Sequence, residues 1–332
     1  MATLVTTITE TLRYRGKLGQ WSWVFHRLSG LGIVLFLALH VIDTSWAAFY
    51  PHLYEEAIAN YQSPLFTLGE FGLVAAVIYH AINGYRIIYL DYRPQLWHLQ
   101  QKAALMVFGI VGVILIPVFV LMFGHVQEFY GEENHVRGLQ DVIASQVQFV
   151  VGFAVIVGVA LVLSLIYALI NGENLNDNVL RSNRPSSIDA WFWKFMRVSG
   201  LLILPLVFGH LAIVHVLQGV FDITKADLTV MGTNSVNESG SAVEYVGRRW
   251  DYLVAGVRVW RFYDGALLAL TVVHGFYGLS IVVNDFIHKK VVARAVNWAI
   301  VFGALSLILV GSAALMAGVE ETAYAMVQEA LR

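Results

Sequence analysis

Apolar residues run along this chain in seven long blocks, near 22–49, 65–90, 103–124, 146–171, 197–220, 264–285 and 294–318, with most charged residues in the segments between them. A helix needs about 20 such residues to cross a bilayer, and every block reaches that length. Backbone polar groups in lipid must be satisfied within the segment, which a helix does. The pattern predicts an all-α integral membrane bundle of seven transmembrane helices. The first block is too long for a cleaved signal peptide and is interrupted by His26 and Arg27.

A polar pattern interrupts the blocks twice. The first copy is Arg27, Ser29, Gly30 and, ten positions on, His40, followed by His80, Gly84 and Asp91. The second is Arg197, Ser199, Gly200, His210, His274, Gly278 and Asp285, with the same ten positions from Gly to His, four from His to Gly and eleven from His to Asp. Each copy covers three blocks. Three spans that begin on one face end on the other, so a copy placed directly after the first would run inverted. Both Arg–Ser–Gly entries adjoin a basic segment, so the copies are parallel. The block at 146–171 has no charged residue and no histidine, and it returns the chain to the starting face. The organisation read from this is a first repeat at 1–125, a linker with an extra membrane helix at 126–186, and a second repeat at 187–332.

Lysine and arginine in short loops set orientation. Arg13, Arg15 and Lys17, then Arg93 and Lys102, then Arg181, Arg184 and Lys194, then Lys289, Lys290 and Arg294 fall on one face. That puts the N-terminus inside and the C-terminus outside. The segment 221–263 breaks the pattern: it belongs outside yet carries Lys225, Arg248, Arg249, Arg258 and Arg261.

Of 332 residues, 58% are hydrophobic and 13% charged, outside the range of a soluble domain. The net charge of −2 gives no basic character for nucleic acid. The absence of cysteine excludes disulfides, thiolate-bound iron–sulfur clusters and covalently attached c-type haem. No glycine-rich strand–turn–helix pattern marks a dinucleotide site.

Ionisable side chains inside membrane helices are rare and functional by default. His40 follows Trp23 by 17 residues and His210 follows Trp193 by 17, about 25 Å along a helix. His80 and His274 each precede an aspartate by 11 residues, roughly 16 Å. The four form two pairs at two depths, each taking one imidazole from each repeat. Facing imidazoles hold a b-type haem iron axially. The expectation is two haem b groups, an inner one on His80 and His274 and an outer one on His40 and His210. Gly84 and Gly278, with Gly30 and Gly200, remove side chains where a porphyrin presses on a helix. Histidines serving as interhelical hydrogen-bond glue are the plain alternative, and four at matched spacing argue against it. A haem-free transporter needs acids at mid-membrane, and Glu70, near the outer end of the second block, is the only plausible one. His215, five positions after His210, is read as pointing to another helix face and is left unassigned. His26 is placed at the inner boundary, and the remaining histidines are read as solvated.

The run Ser22–Trp23–Val24–Phe25–His26–Arg27–Leu28–Ser29–Gly30, with His80–Ala81–Ile82–Asn83–Gly84–Tyr85–Arg86 and Asp91, resembles the cytochrome b subunit of succinate dehydrogenase. Trp260–Arg261–Phe262–Tyr263–Asp264, followed by His274–Gly275–Phe276–Tyr277–Gly278 and Asp285, resembles the second hydrophobic anchor subunit. The resemblance covers roughly 20–125 and 187–318 and makes the chain look like both anchors fused through one added helix. It implies a multi-pass anchor in the cytoplasmic membrane of a prokaryote, surrounded by lipid. Such an anchor docks an FAD flavoprotein and an iron–sulfur subunit on the inner side, in a complex open to higher oligomerisation, and passes electrons to membrane quinone. Dicarboxylate chemistry then belongs to the partner subunits. A fumarate reductase anchor, or a dihaem cytochrome b of another dehydrogenase, is the neighbouring reading. The family's inner quinone site matches Arg27 and Asp285. Trp23 stands where many ubiquinone-binding members have serine, with Ser22 adjacent, and Phe286 stands where they have tyrosine. With two haems, these departures favour menaquinone over ubiquinone. Haem propionates favour arginine. Arg27, Arg86 and Arg197 are candidates for inner propionates or quinone, or are plain boundary anchors. Arg248, Arg249, Arg258 and Arg261 are candidates for the outer propionates.

Overall fold

The computed structural model of the chain describes residues 17–131, 140, 143–144, 146–179 and 187–324; Arg13, Arg15, Arg181 and Arg184 lie outside them. Among the described residues, seven helices are long and apolar enough to cross a membrane. In chain order the helices are α1 (Leu18–Phe49), the short α2 (Pro51–Tyr61), α3 (Pro64–Tyr92), α4 (Gln100–Gly131), α5 (Val147–Ile170), α6 (Ser187–Leu211), the short α7 (Ala242–Trp250), α8 (Val259–Asn284) and α9 (Lys290–Ala317). A 3₁₀ segment at Pro94–Leu99 leads into α4, and a π-helical turn at Ala212–Leu217 extends α6. Pro51, Pro64 and Pro94 each open their segment, where a missing N–H leaves no hydrogen bond unmade. The fifth span begins at Ser187, ten residues before the apolar block suggests, because the Trp191–Lys194 turn stays helical. Aromatic residues of this kind favour the membrane boundary.

The two repeats pack alike. α1 lies against α3 as α6 lies against α8, and α3 against α4 as α8 against α9. The repeats meet through α1 with α8 and α9 and through α3 with α6, and α1, α3, α6 and α8 surround the centre. Arg27 of α1 pairs with Asp285 after α8, and Arg197 of α6 pairs with Asp91 of α3. These reciprocal pairs put both motif entries at one end of the bundle, here the near end, so the repeats run parallel. α5 does not enter the centre. It lies along α9, where Ser164 Oγ donates to the Val291 carbonyl at 2.8 Å and Arg294 binds Glu173.

The far end carries a folded cap. Residues 218–258 form α7 and two small antiparallel pairs, Leu228–Thr229 with Val236–Asn237 and Leu253–Val254 with Val257–Arg258. Val230, Val243, Tyr245 and Trp250 are buried there against Ala47, Tyr54 and Ile58 of the first repeat. The cap accounts for the basic segment that topology leaves unexplained. Lys225 pairs with Asp222 and Glu128, Arg248 with Glu244, and Arg258 with Asp251. Its cations are matched largely within the fold.

Candidate cofactor site

A cavity of about 690 Å³ runs between α1, α3, α6 and α8, within the range of about 300–1,000 Å³ usual for small-molecule and cofactor sites. His80 and His274 line its near part, and His40 and His210 its far part. All four sequence-expected ligands therefore face one space.

The near histidines are held alike. Ser29 Oγ donates to the His26 carbonyl at 3.0 Å and lies 3.2 Å from His80 Nδ1. Ser199 Oγ donates to the Met196 carbonyl at 3.4 Å and lies 2.9 Å from His274 Nδ1. A hydroxyl has one proton to give. With that proton on a backbone carbonyl, each serine oxygen accepts from the imidazole Nδ1–H. His80 Nδ1 is also 3.1 Å from the His26 carbonyl, which can only accept. The carbonyl fixes His80 as the Nδ1–H tautomer, leaving Nε2 with a lone pair for a metal, and Ser199 holds His274 by the same ring nitrogen. The adjoining glycines make room: a Cβ on Gly30 would lie 2.9 Å from His80 Cε1, and one on Gly200 would lie 3.5 Å from His274 Cε1. The repeated motif thus reads Arg for the cross-repeat ion pair, Ser for the imidazole, and Gly for its space.

The far group contains a histidine that sequence reasoning missed. His215 lies 5.3 Å from His210 and 6.0 Å from His40, ring centre to ring centre, and His40 lies 5.8 Å from His210. The expectation that His215 faces elsewhere assumed α-helical pitch. The π-helical turn has i→i+5 hydrogen bonds, so a residue five positions on returns to the same face. His215 Nδ1 is 2.9 Å from Glu70 Oε1. His26 is also corrected: its ring stacks on His80 at 3.9 Å inside the cavity. The EFGL and GHLAIVH strings carried the Glu70–His215 contact only for a reader who knew the local pitch.

The arginines divide. Arg27 and Asp285, expected together at a quinone, are paired with each other, and the Arg27 guanidinium lies 4.4 Å over Trp23. Arg197, bound to Asp91, lies 3.5 Å over Trp193. Ser22 does not line the cavity. It is fully buried, donates to Asn83 Oδ1 at 2.8 Å and accepts from Arg86 Nη1 at 3.2 Å. Both Ser22 and Arg86 are therefore drawn into the α1–α3 seam, away from a ligand. Phe286 is 68% exposed beyond the end of α8. At the far end Arg248 is taken by Glu244 and Arg258 by Asp251. Arg261 binds Asp251 and donates to the carbonyls of Trp250, Leu315 and Met316, closing the end of α9. Among these four, Arg249 alone has terminal nitrogens that are buried without a hydrogen-bond partner.

Paired imidazoles facing an apolar cavity, glycines against the rings and a buried guanidinium whose terminal nitrogens make no hydrogen bond fit a flat, largely apolar group with carboxylate tails. Residues, fold and site define a multi-pass membrane bundle of two parallel repeats around a histidine-lined cavity. Residues 7–119 match the family described as succinate dehydrogenase/fumarate reductase transmembrane subunit. The chain is 36% identical over 135 residues, 39% of its own length and 99% of the relative's, to succinate dehydrogenase 2 membrane subunit SdhC of Mycobacterium tuberculosis. It is 30% identical over 106 residues, 31% of its length and 81% of the relative's, to the succinate dehydrogenase hydrophobic membrane anchor subunit of Halobacterium salinarum. No solved structure matches it. The chain belongs to the succinate dehydrogenase/fumarate reductase transmembrane subunit family.

Proposed function

We propose that this chain is a dihaem membrane anchor of a succinate:quinone oxidoreductase, with both hydrophobic anchor subunits fused through α5. The observation that carries the reading is the matched pair Ser29–His80 and Ser199–His274, one from each repeat, with both imidazoles lining one cavity. His80 and His274 would hold the inner haem, and His40 and His210 the outer. A bound b haem supplies a one-electron carrier at each depth. The residues do the rest: serines hold the imidazoles, glycines admit the ring plane, and apolar walls exclude water. Arg249 is suited to an outer propionate, because its terminal nitrogens are buried and make no hydrogen bond, leaving donors to spare beside its Asp264 pair.

The near end, read as the inner side, would dock the flavoprotein and iron–sulfur subunits, with the N-terminus inside and the C-terminus outside. Trp23, Arg27 and Asp285 form the corner proposed for the quinone, with exposed Phe286 beyond it. That corner is rich in aromatic surface and poor in uncommitted hydroxyls, which supports menaquinone over ubiquinone. The Arg27–Asp285 pair would open to engage the quinone oxygen. A reduced-minus-oxidised optical spectrum of the purified complex tests the reading. Two b-type components are expected, one lost in His80→Ala and the other in His40→Ala, with a flavin-containing subunit co-purifying. A spectrum with no b-type band rejects it.

A further inference from the structure

Three buried polar groups at the far end of the cavity lack hydrogen-bond partners: His210 Nδ1, Asp264 Oδ1 and the terminal nitrogens of Arg249. They form a row. His210 Nδ1 lies 4.0 Å from Asp264 Oδ1, and the same oxygen lies 3.6 Å from Arg249 Nη2. The other carboxylate oxygen of Asp264 accepts from Trp250 Nε1 at 3.1 Å, which fixes the plane of the group. Arg249 is 4% exposed, and its guanidinium lies 4.2 Å over the Trp260 ring. Both residues come from one connected piece of chain: Arg249 and Trp250 end α7, and Asp264 sits in the first turns of α8, lining the cavity.

Buried charges persist when paired and hydrogen-bonded. Here a carboxylate, a guanidinium and an imidazole stand just beyond bonding distance, each with the atom that the next one lacks. Metal-bound imidazoles nearly always give their second N–H to a carboxylate, carbonyl or water. At the near end that partner is a neutral serine.

We propose that Asp264 is the positioning residue of His210. With iron on Nε2, His210 closes the gap and donates Nδ1–H to Asp264 Oδ1, while Arg249 neutralises the carboxylate. The proposal rests on the dihaem reading of the cavity and deepens it. An anionic partner makes the imidazole a stronger donor, which favours the oxidised, more positive iron. Asp264 therefore lowers the midpoint potential of the outer haem, and the serines of the near end exert no such pull on the inner one.

Redox titration of the b components in the purified complex tests this. Asp264→Asn keeps the size of the side chain and removes its charge. It should raise the potential of one component and leave the other in place, and Asp264→Glu should bring it back toward the original value. Ser199→Ala should affect only the other component. Two unmoved components in Asp264→Asn overturn the proposal. A shift in Glu70→Gln without one in Asp264→Asn also overturns it, by assigning the ligand to His215. Where Asp264→Asn does not assemble, Asp264→Ser copies the near-end arrangement and carries the same expectation. Loss of both components in Asp264→Asn, Asp264→Ser and Asp264→Glu alike assigns the residue to the fold and overturns the proposal. A wild-type complex with no b haem is a separate outcome and rejects the dihaem reading itself.

Discussion

Ser199 Oγ stands 2.9 Å from His274 Nδ1, and this contact ties the ring to α6 across the cavity wall. Its counterpart in the first repeat is looser, Ser29 to His80 at 3.2 Å, and there the His26 carbonyl shares the same Nδ1 at 3.1 Å. The two serines are thus equivalent in position and unequal in consequence. Removing the partner of a metal-bound histidine costs on the order of 10–100-fold in affinity. Among the described residues, Ser199→Ala leaves His274 Nδ1 with no other hydrogen-bond partner, whereas Ser29→Ala leaves a carbonyl in place for His80. Haem titration of the depleted protein should show the larger loss in Ser199→Ala. Equal losses would contradict the assigned partners.

The glycines of the same motif differ in the opposite sense. A Cβ on Gly30 would meet His80 Cε1 at 2.9 Å, closer than carbon atoms normally approach, while one on Gly200 meets His274 Cε1 at an ordinary 3.5 Å. Gly30→Ala must therefore push the His80 ring, and Gly200→Ala need not move His274. Overpacking of this kind costs about 1–3 kcal/mol. The expected result is lower thermal stability and a perturbed b-type spectrum for Gly30→Ala, with Gly200→Ala close to the parent. A spectrum perturbed only by Gly200→Ala would show that the rings sit otherwise.

Arg197 and Asp91 join the repeats at the near end, with side chains 17% and 25% exposed. A partly exposed pair is screened, so its net worth is small, but contacting residues couple by about 0.5–3 kcal/mol. Asp91→Asn and Arg197→Gln should each lower the unfolding midpoint, and the double variant should lose less than the sum. Strict additivity would mean that the pair is not formed in the membrane.

Much of this was readable from residue order, and the failures have physical causes. Apolar block length located all seven helices, since hydrogen bonding in lipid leaves a helix little alternative. The duplicated spacing placed His40 beside His210, because two parallel helices of equal length bring equal positions level. His215 was lost to an assumption of α-helical pitch, which a six-residue π turn overturns. Ser22 was misjudged because its neighbour Trp23 faces the cavity, and adjacent positions on a helix face different ways. The cap arginines stood out as unexplained charge: Arg248 meets Glu244 one helical turn away, but Arg249, Arg258 and Arg261 reach Asp264 and Asp251 only through the folding of the cap. Only burial and the lack of a hydrogen bond at its terminal nitrogens single out Arg249.

The far-end cap is fastened by Glu55, whose Oε1 accepts from Ser241 Oγ at 2.5 Å and from the Val243 backbone N–H at 2.9 Å. Ser241 is also the N-cap of α7, accepting from the N–H groups of Val243 and Glu244. Replacing such a cap by alanine costs about 1 kcal/mol, so Ser241→Ala should lower the cap's stability by that order. Glu55 adds a pH dependence. Burial raises its carboxyl above the ordinary value of 4.5, against the opposing pull of the Ser241 and Val243 donors. A raised folded value means that the folded state binds this proton more tightly than the unfolded chain does. The stabilisation is full below 4.5 and is lost as pH rises through the raised value. Glu55→Gln keeps an acceptor for both donors and cannot ionise, so its thermal midpoint should stay flat where that of the parent falls. A parent midpoint that instead rises across this window would mean that the hydrogen bonds to the carboxylate outweigh its burial.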